Sequence, residues 1–144
     1  MAKTLHIVRA VELDPALAGF LSLCIGNATE EKIKALWVDY TTADNRELWS
    51  ALLGPQKIGL VGFEIKDQAR VIIRHITVAP EARRKGLGKK LIEHFISRYP
   101  SHAVEAETDQ DAVGFYIRCG FVATSLGERY PGCERFRCTK QPSE

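Results

Sequence analysis

The stretch that decides the fold is ITVAPEARRKGLGKKL, at positions 76–91. It starts as an apolar strand, turns at Pro80, and passes through a basic segment into an amphipathic helix. Residues 83–90 hold five of the chain's 20 lysines and arginines, where an even spread would put about one. Helix N-termini present unpaired N–H groups and positive dipole charge, and Gly86 and Gly88 let a ligand approach the backbone. The stretch therefore predicts an anion cradle suited to phosphate.

The glycine spacing excludes two common phosphate-binding loops. A nucleoside-triphosphate loop ending at Gly88-Lys89 would require glycine where Arg83 stands and a hydroxyl where Lys90 stands. A dinucleotide fingerprint that starts at Gly86 would require a third glycine at Leu91. The remaining alternatives to a dedicated phosphate cradle are a solvated basic turn and a nucleic-acid contact, and the second lacks interleaved aromatic residues.

Two motifs carry a resemblance to a known family. RRKGLG at 83–88 directly follows a strand and fits the pattern Arg/Gln-x-x-Gly-x-Gly/Ala. DAVGFYIRCGF at 111–121 is similar to a later pattern of Asp or Asn, alanine, an aromatic–tyrosine pair and Gly-Phe. In this order and at this separation, the two motifs resemble the GCN5-related N-acetyltransferase (GNAT) family over roughly residues 70–125.

Hydrophobic periodicity predicts the element order β, α, α, β, β, β, α, β, α, β, β. The predicted strands cover 4–8, 48–53, 57–66, 70–78, 103–107, 121–125 and 134–139. The predicted helices begin at Asp14-Pro15, at Thr29, near Leu87 and at Asp111, where Asp111 is the expected N-cap. This order indicates an α/β (α+β) fold whose sheet is partly antiparallel and flanked by helices. The resemblance implies the GNAT form, a mixed, mostly antiparallel twisted sheet known as the acyl-CoA N-acyltransferase fold.

Composition limits the possible functions. The 144 residues are 45% hydrophobic and 26% charged, so we expect a single globular domain over 1–144, which the resemblance implies is an N-acetyltransferase domain. A formal net charge of +2 argues against a protein that seeks polyanions, so no nucleic-acid partner is expected. No apolar stretch reaches the roughly 18–20 residues of a membrane span, and no secretory apolar region opens the chain. We therefore expect a cytoplasmic protein without a membrane partner.

The cysteines and histidines do not form a metal-binding pattern. Cys133 and Cys138 are five residues apart, but no second close Cys or His pair completes a zinc site. We expect free thiols and no metal.

The family resemblance implies acetyl-CoA as the co-substrate. Backbone N–H groups from Arg84 to Lys89 would hold the pyrophosphate, and the strand 76–78 would pair with the pantetheine arm. The Val78 N–H would then stabilise the oxyanion of a tetrahedral intermediate. The cofactor-binding residues implied are Ile76, Thr77, Val78, Arg83, Arg84, Lys85, Gly86, Leu87, Gly88, Lys89, Asp111 and Tyr116.

The resemblance also implies a general acid. Tyr116 occupies the position from which a phenol, neutral at pH 7, donates to the departing thiolate. A purely structural aromatic role suits Phe115 better.

The general base is less well defined. Strict alternation along 72–78 puts Ile72, Arg74, Ile76 and Val78 on one face and Ile73, His75 and Thr77 on the other. If the face of Ile76 and Val78 is the active one, it carries no base, and His75 points away from it. Glu107 is the candidate catalytic base, with Glu64 and a water chain as alternatives.

The sequence thus predicts an N-acetyltransferase in which a primary amine directly attacks the thioester in a ternary complex. An alternative is a catalytically silent acyl-CoA-binding sensor of the same fold, and a third is a nucleic-acid-binding domain that uses 83–90. The resemblance also implies that a homodimer can form. Acceptor choice is expected to reside in 17–37, 39–47 and the hairpin 130–132, and no motif there selects an amine.

Overall fold

The computed structural model describes residues 4–82 and 86–142. The strands are β1 (Leu5–Arg9), β2 (Arg46–Leu53), β3 (Gln56–Ile65), β4 (Arg70–Val78), β5 (Ala103–Asp109), β6 (Val122–Tyr130) and β7 (Cys133–Lys140). The helices are α1 (Pro15–Cys24), α2 (Glu30–Thr42), α3 (Leu87–Ser97) and α4 (Val113–Arg118), with a 3-10 turn at Pro80–Ala82. The predicted order of elements is confirmed.

The strands form one seven-stranded sheet in the order β1-β2-β3-β4-β5-β7-β6. Every neighbouring pair is antiparallel except β4 and β5, which run parallel. The parallel pair is joined through α3, because parallel strands need a crossover rather than a tight turn. The mixed, mostly antiparallel sheet with flanking helices confirms the predicted fold class.

Local sequence signals start the first two helices. The Asp14 carboxylate accepts a hydrogen bond from the Leu17 N–H at 2.8 Å, with Pro15 in the first helical position. The Thr29 hydroxyl accepts from the Lys32 N–H at 3.1 Å. Both caps satisfy N–H groups that the first helical turn leaves unpaired.

Each face of the sheet has its own apolar cluster. On one face, Val61, Phe63, Val71 and Ile73 pack with buried residues of α3, including Phe95. On the opposite face, α1 and α2 cover the sheet. Its buried cluster is Leu17, Leu21, Tyr40, Leu48 and Leu60. The two layers of helices therefore fix the sheet from both sides over β2 to β4.

The parallel strands separate before they end. Paired positions between β4 and β5 run only from Arg70 and Ala103 to Ile73 and Ala106. Beyond these pairs β4 continues to Val78 and β5 to Asp109. The last residues of the two strands therefore line a cleft between them.

The predicted alternation along β4 places His75 correctly on the face opposite Ile76 and Val78, but it is wrong at Ile73 and Arg74. Gly62 of β3 pairs with His75, but the next residue, Phe63, pairs with Ile73, which leaves a bulge at Arg74. Ile73 therefore belongs to the same core cluster as Ile76 and Val78. A bulge shifts the side-chain phase by one residue, which strict alternation cannot anticipate.

The predicted N-cap of α4 is also wrong. Ala112 occupies the cap position, and Asp111 makes no side-chain cap. Instead the Asp109 carboxylate accepts from the N–H groups of Asp111 and Ala112, each at 3.0 Å. Because β5 extends to Asp109 rather than ending at Glu107, Asp109 lies at the start of the turn that leads into α4.

Within residues 4–82 and 86–142, none of the helices combines the length and apolar character needed to cross a membrane. The four cysteines are free thiols.

Candidate active site

A cavity of about 1000 Å³ lies between the separating ends of β4 and β5. Helices α3 and α4 border it on one side, and the end of α1 contributes Leu23 and Cys24. Of the predicted site residues, those that line it are Ile76, Thr77, Val78, Gly86, Gly88, Lys89, Glu107, Asp111 and Tyr116. The structure thus gathers residues from two distant motifs around one space.

Three predicted cofactor-binding residues, Arg83, Arg84 and Lys85, lie outside the described residues. Leu87 does not line the cavity, because its side chain is buried in the core.

The glycine turn places the start of α3 at the cavity. Gly86 has a positive φ of 72° at the N-cap, a conformation that glycine adopts without strain. A Cβ at Gly88 would lie 3.1 Å from the Phe115 ring, so the absence of a side chain lets α4 pack close to α3. The first N–H groups of this 11-residue helix therefore face a space bordered by Lys89.

The backbone of β4 alternates between β3 and the cleft. The Ala79 N–H donates to the Ile58 carbonyl at 2.6 Å, and Thr77 is paired two residues earlier with Leu60. In an antiparallel ladder, hydrogen-bonding groups alternate in direction along the strand. The backbone groups of Ile76 and Val78 therefore point toward the β5 side, where the cleft lies.

Tyr116 is buried in an aromatic group at the cavity. Its side chain is 5% exposed, and its ring centroid lies 5.3 Å from that of Phe115 and 5.4 Å from that of Phe121. Burial raises the pKa of the Tyr116 phenol well above its usual value of 10. The hydroxyl is therefore neutral at physiological pH and available as a hydrogen-bond donor.

Glu107 lines the cavity from β5, with an exposed carboxylate. Its side chain is 49% exposed, and its Oε1 lies 3.6 Å from the guanidinium of Arg137 on β7. Asp111 is exposed on the turn before α4. The structure thus places Glu107 at the cavity, but with the guanidinium of Arg137 already beside its carboxylate.

His75 lines the cavity, although the sequence analysis expected its side chain to point away from the active face of β4. Its Nδ1 lies 2.6 Å from the hydroxyl oxygen of Tyr40 on α2. Burial lowers the pKa of His75, and the charges of Arg46 and Arg74 lower it further. Burial raises the pKa of Tyr40, so the pair is neutral at pH 7.

Gly62 makes room for this pair. A Cβ at Gly62 would lie less than 3.0 Å from the Tyr40 hydroxyl oxygen. The signal that could have found His75 is the glycine opposite it on β3, because an interior strand glycine often marks a bulge or a close approach.

Glu64 is unsuited to act as a base. Its side chain is buried, it does not line the cavity, and it contacts Arg46, Lys66 and Arg74. Burial alone would raise its pKa, but the hydrogen bonds and charges of Arg74 and Lys66 prevail and lower it. A carboxylate stabilised in this way accepts a proton poorly.

The cavity thiols are unreactive in their resting state. Burial raises the pKa of Cys24 to about 11, and burial also raises the pKa of Cys119. Because the thiolate is the nucleophilic form, neither thiol is activated to take an acyl group.

Comparison with known proteins gives a consistent result. A model of the acetyltransferase (GNAT) family matches residues 25–121, about two thirds of the chain. An uncharacterized N-acetyltransferase in the lysA 3′ region of Bacillus methanolicus is 27% identical over 101 residues, which cover 70% of this chain and 82% of that protein.

Solved structures share the fold at low identity. A Bacillus subtilis acetyltransferase in complex with CoA gives a TM-score of 0.76 at 18% identity, and the match covers 96% of this chain and 99% of that one. Spermidine N-acetyltransferase from Vibrio cholerae, in complex with CoA and spermine, gives a TM-score of 0.75 at 17% identity, with 94% of each chain covered.

Proposed function

Because the chain belongs to the acetyltransferase (GNAT) family, we propose that it transfers the acetyl group of acetyl-CoA to a primary amine by direct attack. The observation that carries this proposal is the cleft between β4 and β5, which joins the glycine turn of α3 to Tyr116 and His75. The CoA complexes of the Bacillus and Vibrio proteins support the choice of co-substrate. The spermine in the Vibrio complex supports an amine as the acceptor class.

The glycine turn and the edge of β4 would hold acetyl-CoA. N–H groups at the start of α3, with Lys89, suit the pyrophosphate. The backbone of Ile76 and Val78 faces the cleft and suits a pantetheine arm lying beside it as an additional strand. An N–H group on this edge of β4 would then polarise the thioester carbonyl and stabilise the oxyanion that forms on attack.

Tyr116 would assist the departing sulfur. When the amine nitrogen bonds to the carbonyl carbon and the carbon–sulfur bond breaks, the electron pair remains on sulfur as a thiolate. The same burial that raises the Tyr116 pKa also destabilises a thiolate, so a hydroxyl donor there lowers the barrier.

We assign the proton acceptor to His75, with Glu107 as the alternative. In the tautomer whose Nδ1–H donates to the Tyr40 hydroxyl oxygen, Nε2 of His75 carries the lone pair that would take a proton from the attacking amine. The lowered pKa keeps the imidazole neutral and able to accept that proton at pH 7. Glu107 is half exposed, and its carboxylate already lies 3.6 Å from the guanidinium of Arg137.

Two measurements test the proposed function. Acetyl-CoA or CoA should raise the melting temperature of the protein, and no shift at millimolar ligand would refute acyl-CoA binding. Tyr116→Phe should reduce kcat by roughly 100-fold with little change in acetyl-CoA affinity. Tyr99→Phe is the matched control, because Tyr99 packs against Phe63 and Phe95 and does not line the cavity. Unchanged turnover in Tyr116→Phe would exclude the acid role.

The same assays separate an enzyme from a silent sensor. Acetyl-CoA binding without turnover across a broad amine screen would support the sensor. His75→Gln and Glu107→Gln then identify the base: the proposal expects kcat to fall much further in His75→Gln, and the reverse order would assign Glu107.

A further inference from the structure

The cavity has a second charged feature, at the end opposite the glycine turn. Arg74 occupies the bulge in β4 and lines the cavity next to His75. Its guanidinium lies 2.8 Å from Glu64, which faces the α1–α2 side of the sheet. The side chain of Val78 lies near Gly88 on the α3 side, so Arg74 is separated by the sheet from the expected phosphate cradle.

Arg74 is held firmly without being fully neutralised. The single carboxylate of Glu64 also contacts Arg46 at 3.3 Å and Lys66 at 3.4 Å. Three cations therefore share one buried anion, and the group carries an excess of positive charge. That excess acts on the cavity, because the charges of Arg46 and Arg74 contribute to lowering the pKa of His75.

The carboxylates of the cavity do not cancel this charge. Of the described residues that line it, the acidic ones are Glu107, Asp109 and Asp111. Glu107 lies beside Arg137, and Asp109 accepts from two backbone N–H groups. Asp111 precedes α4, the helix that packs against Gly88 and thus borders the other end of the cavity. The space beside His75 is left with the guanidinium of Arg74.

We propose that Arg74 binds an anionic group on the acceptor, so that the substrate is a primary amine bearing a carboxylate or phosphate close to its nitrogen. The inference rests on the proposed acetyltransferase function. A planar guanidinium matches the two oxygens of a carboxylate or phosphate, and its anchoring by Glu64 reduces the ordering cost of binding. The same excess charge disfavours a polycationic amine. An amino acid would place its anion on Arg74 and its amine toward His75.

The test compares acceptors that differ only in the anion. Amino acids are assayed against their decarboxylated amines, for example lysine against cadaverine and phenylalanine against phenethylamine. O-phosphoethanolamine against ethanolamine tests phosphate as the source of the anion. We expect kcat/KM at least 10-fold higher for the member of each pair that carries the carboxylate or phosphate. Equal or better turnover of the members that lack this group would overturn the inference and leave the proposed function intact. Absence of turnover in every pair, with acetyl-CoA still bound, would overturn both.

Variants then assign the effect to Arg74. Arg74→Gln should raise KM for the anionic acceptor by roughly 10- to 100-fold, the loss expected for a hydrogen bond to a charged group. KM for acetyl-CoA should not change, and Arg74→Lys should restore only part of the acceptor affinity. Arg70→Gln is the control, because Arg70 lies on the same strand but pairs with Asp67 and Glu105 outside the cavity. An equal rise in KM for the decarboxylated amine would show that Arg74 does not act through the anion.

Discussion

The stability of the protein should decline in mild acid because of His75. Its folded-state pKa is lowered by burial and by the charges of Arg46 and Arg74, whereas an unfolded histidine titrates near 6.5. The unfolded chain therefore takes up this proton at a higher pH than the folded protein does. The contribution of neutral His75 to the free energy of unfolding is therefore fully present above about pH 6.5, and it is lost as pH falls through the folded-state pKa of His75.

The size of this effect follows from linkage. A difference of one bound proton gives a slope of about 1.4 kcal/mol per pH unit, which is the upper limit for His75 in this window. The lowered carboxylate pKa values of Asp14 and Glu64 do not interfere, because their contributions are lost only near or below the usual carboxylate range. The free energy of unfolding should thus fall between pH 6.5 and 5.

Urea unfolding at half-unit steps from pH 7.5 to 5 measures the slope. His75→Gln should be less stable at every pH by about 1–3 kcal/mol, because the buried Tyr40 hydroxyl loses its partner, and its slope should be flatter. His94→Gln, an exposed site on α3, should keep the wild-type slope. A wild-type slope in His75→Gln would refute the reasoning.

Two further predictions concern the backbone. Gly59→Ala should lower the free energy of unfolding in urea by several kcal/mol, because the added Cβ would lie less than 3.0 Å from the Thr77 carbonyl oxygen. Gly19→Ala, in an open part of α1, should raise the free energy of unfolding by about 0.5–1 kcal/mol. Tolerance of Gly59→Ala would contradict the strand pairing. Asp109→Ala should lose about 1 kcal/mol of unfolding free energy and Asp111→Ala much less, and the opposite ranking would restore Asp111 as the cap.

Much of the fold was predictable because its signals are local. The Asp14-Pro15 pair and Thr29 cap their helices through contacts three residues away, which the sequence displays directly. The prediction of the α4 N-cap was wrong because two aspartates, Asp109 and Asp111, precede this helix and either could accept hydrogen bonds from its first N–H groups. The choice between them depends on how far β5 extends, and β5 is held by pairing with β7 up to Asp109 and Arg135. That pairing joins residues distant in sequence.

The cavity lining was predictable where contiguous sequence motifs form it. The glycine turn and Tyr116 belong to contiguous motifs, and the structure brings residues of both to one cavity. His75 was assigned to the correct face, opposite Ile76 and Val78, whereas Ile73 and Arg74 were assigned to the wrong faces, because a bulge is a property of two paired strands. A one-residue change of phase reverses the face of each side chain beyond it, so the error was confined to the residues on one side of the bulge.

The bulge also explains how adjacent residues serve one site. In a regular strand, Arg74 and His75 would point to opposite faces of the sheet. Because the register shifts between Gly62 and Phe63, Arg74 reaches Glu64 while His75 bonds Tyr40, and both line the cavity. The missing side chain at Gly62 admits the Tyr40 ring at this point. The irregularity thus places His75, the proposed proton acceptor, beside Arg74, the proposed anion-binding group, at one cavity.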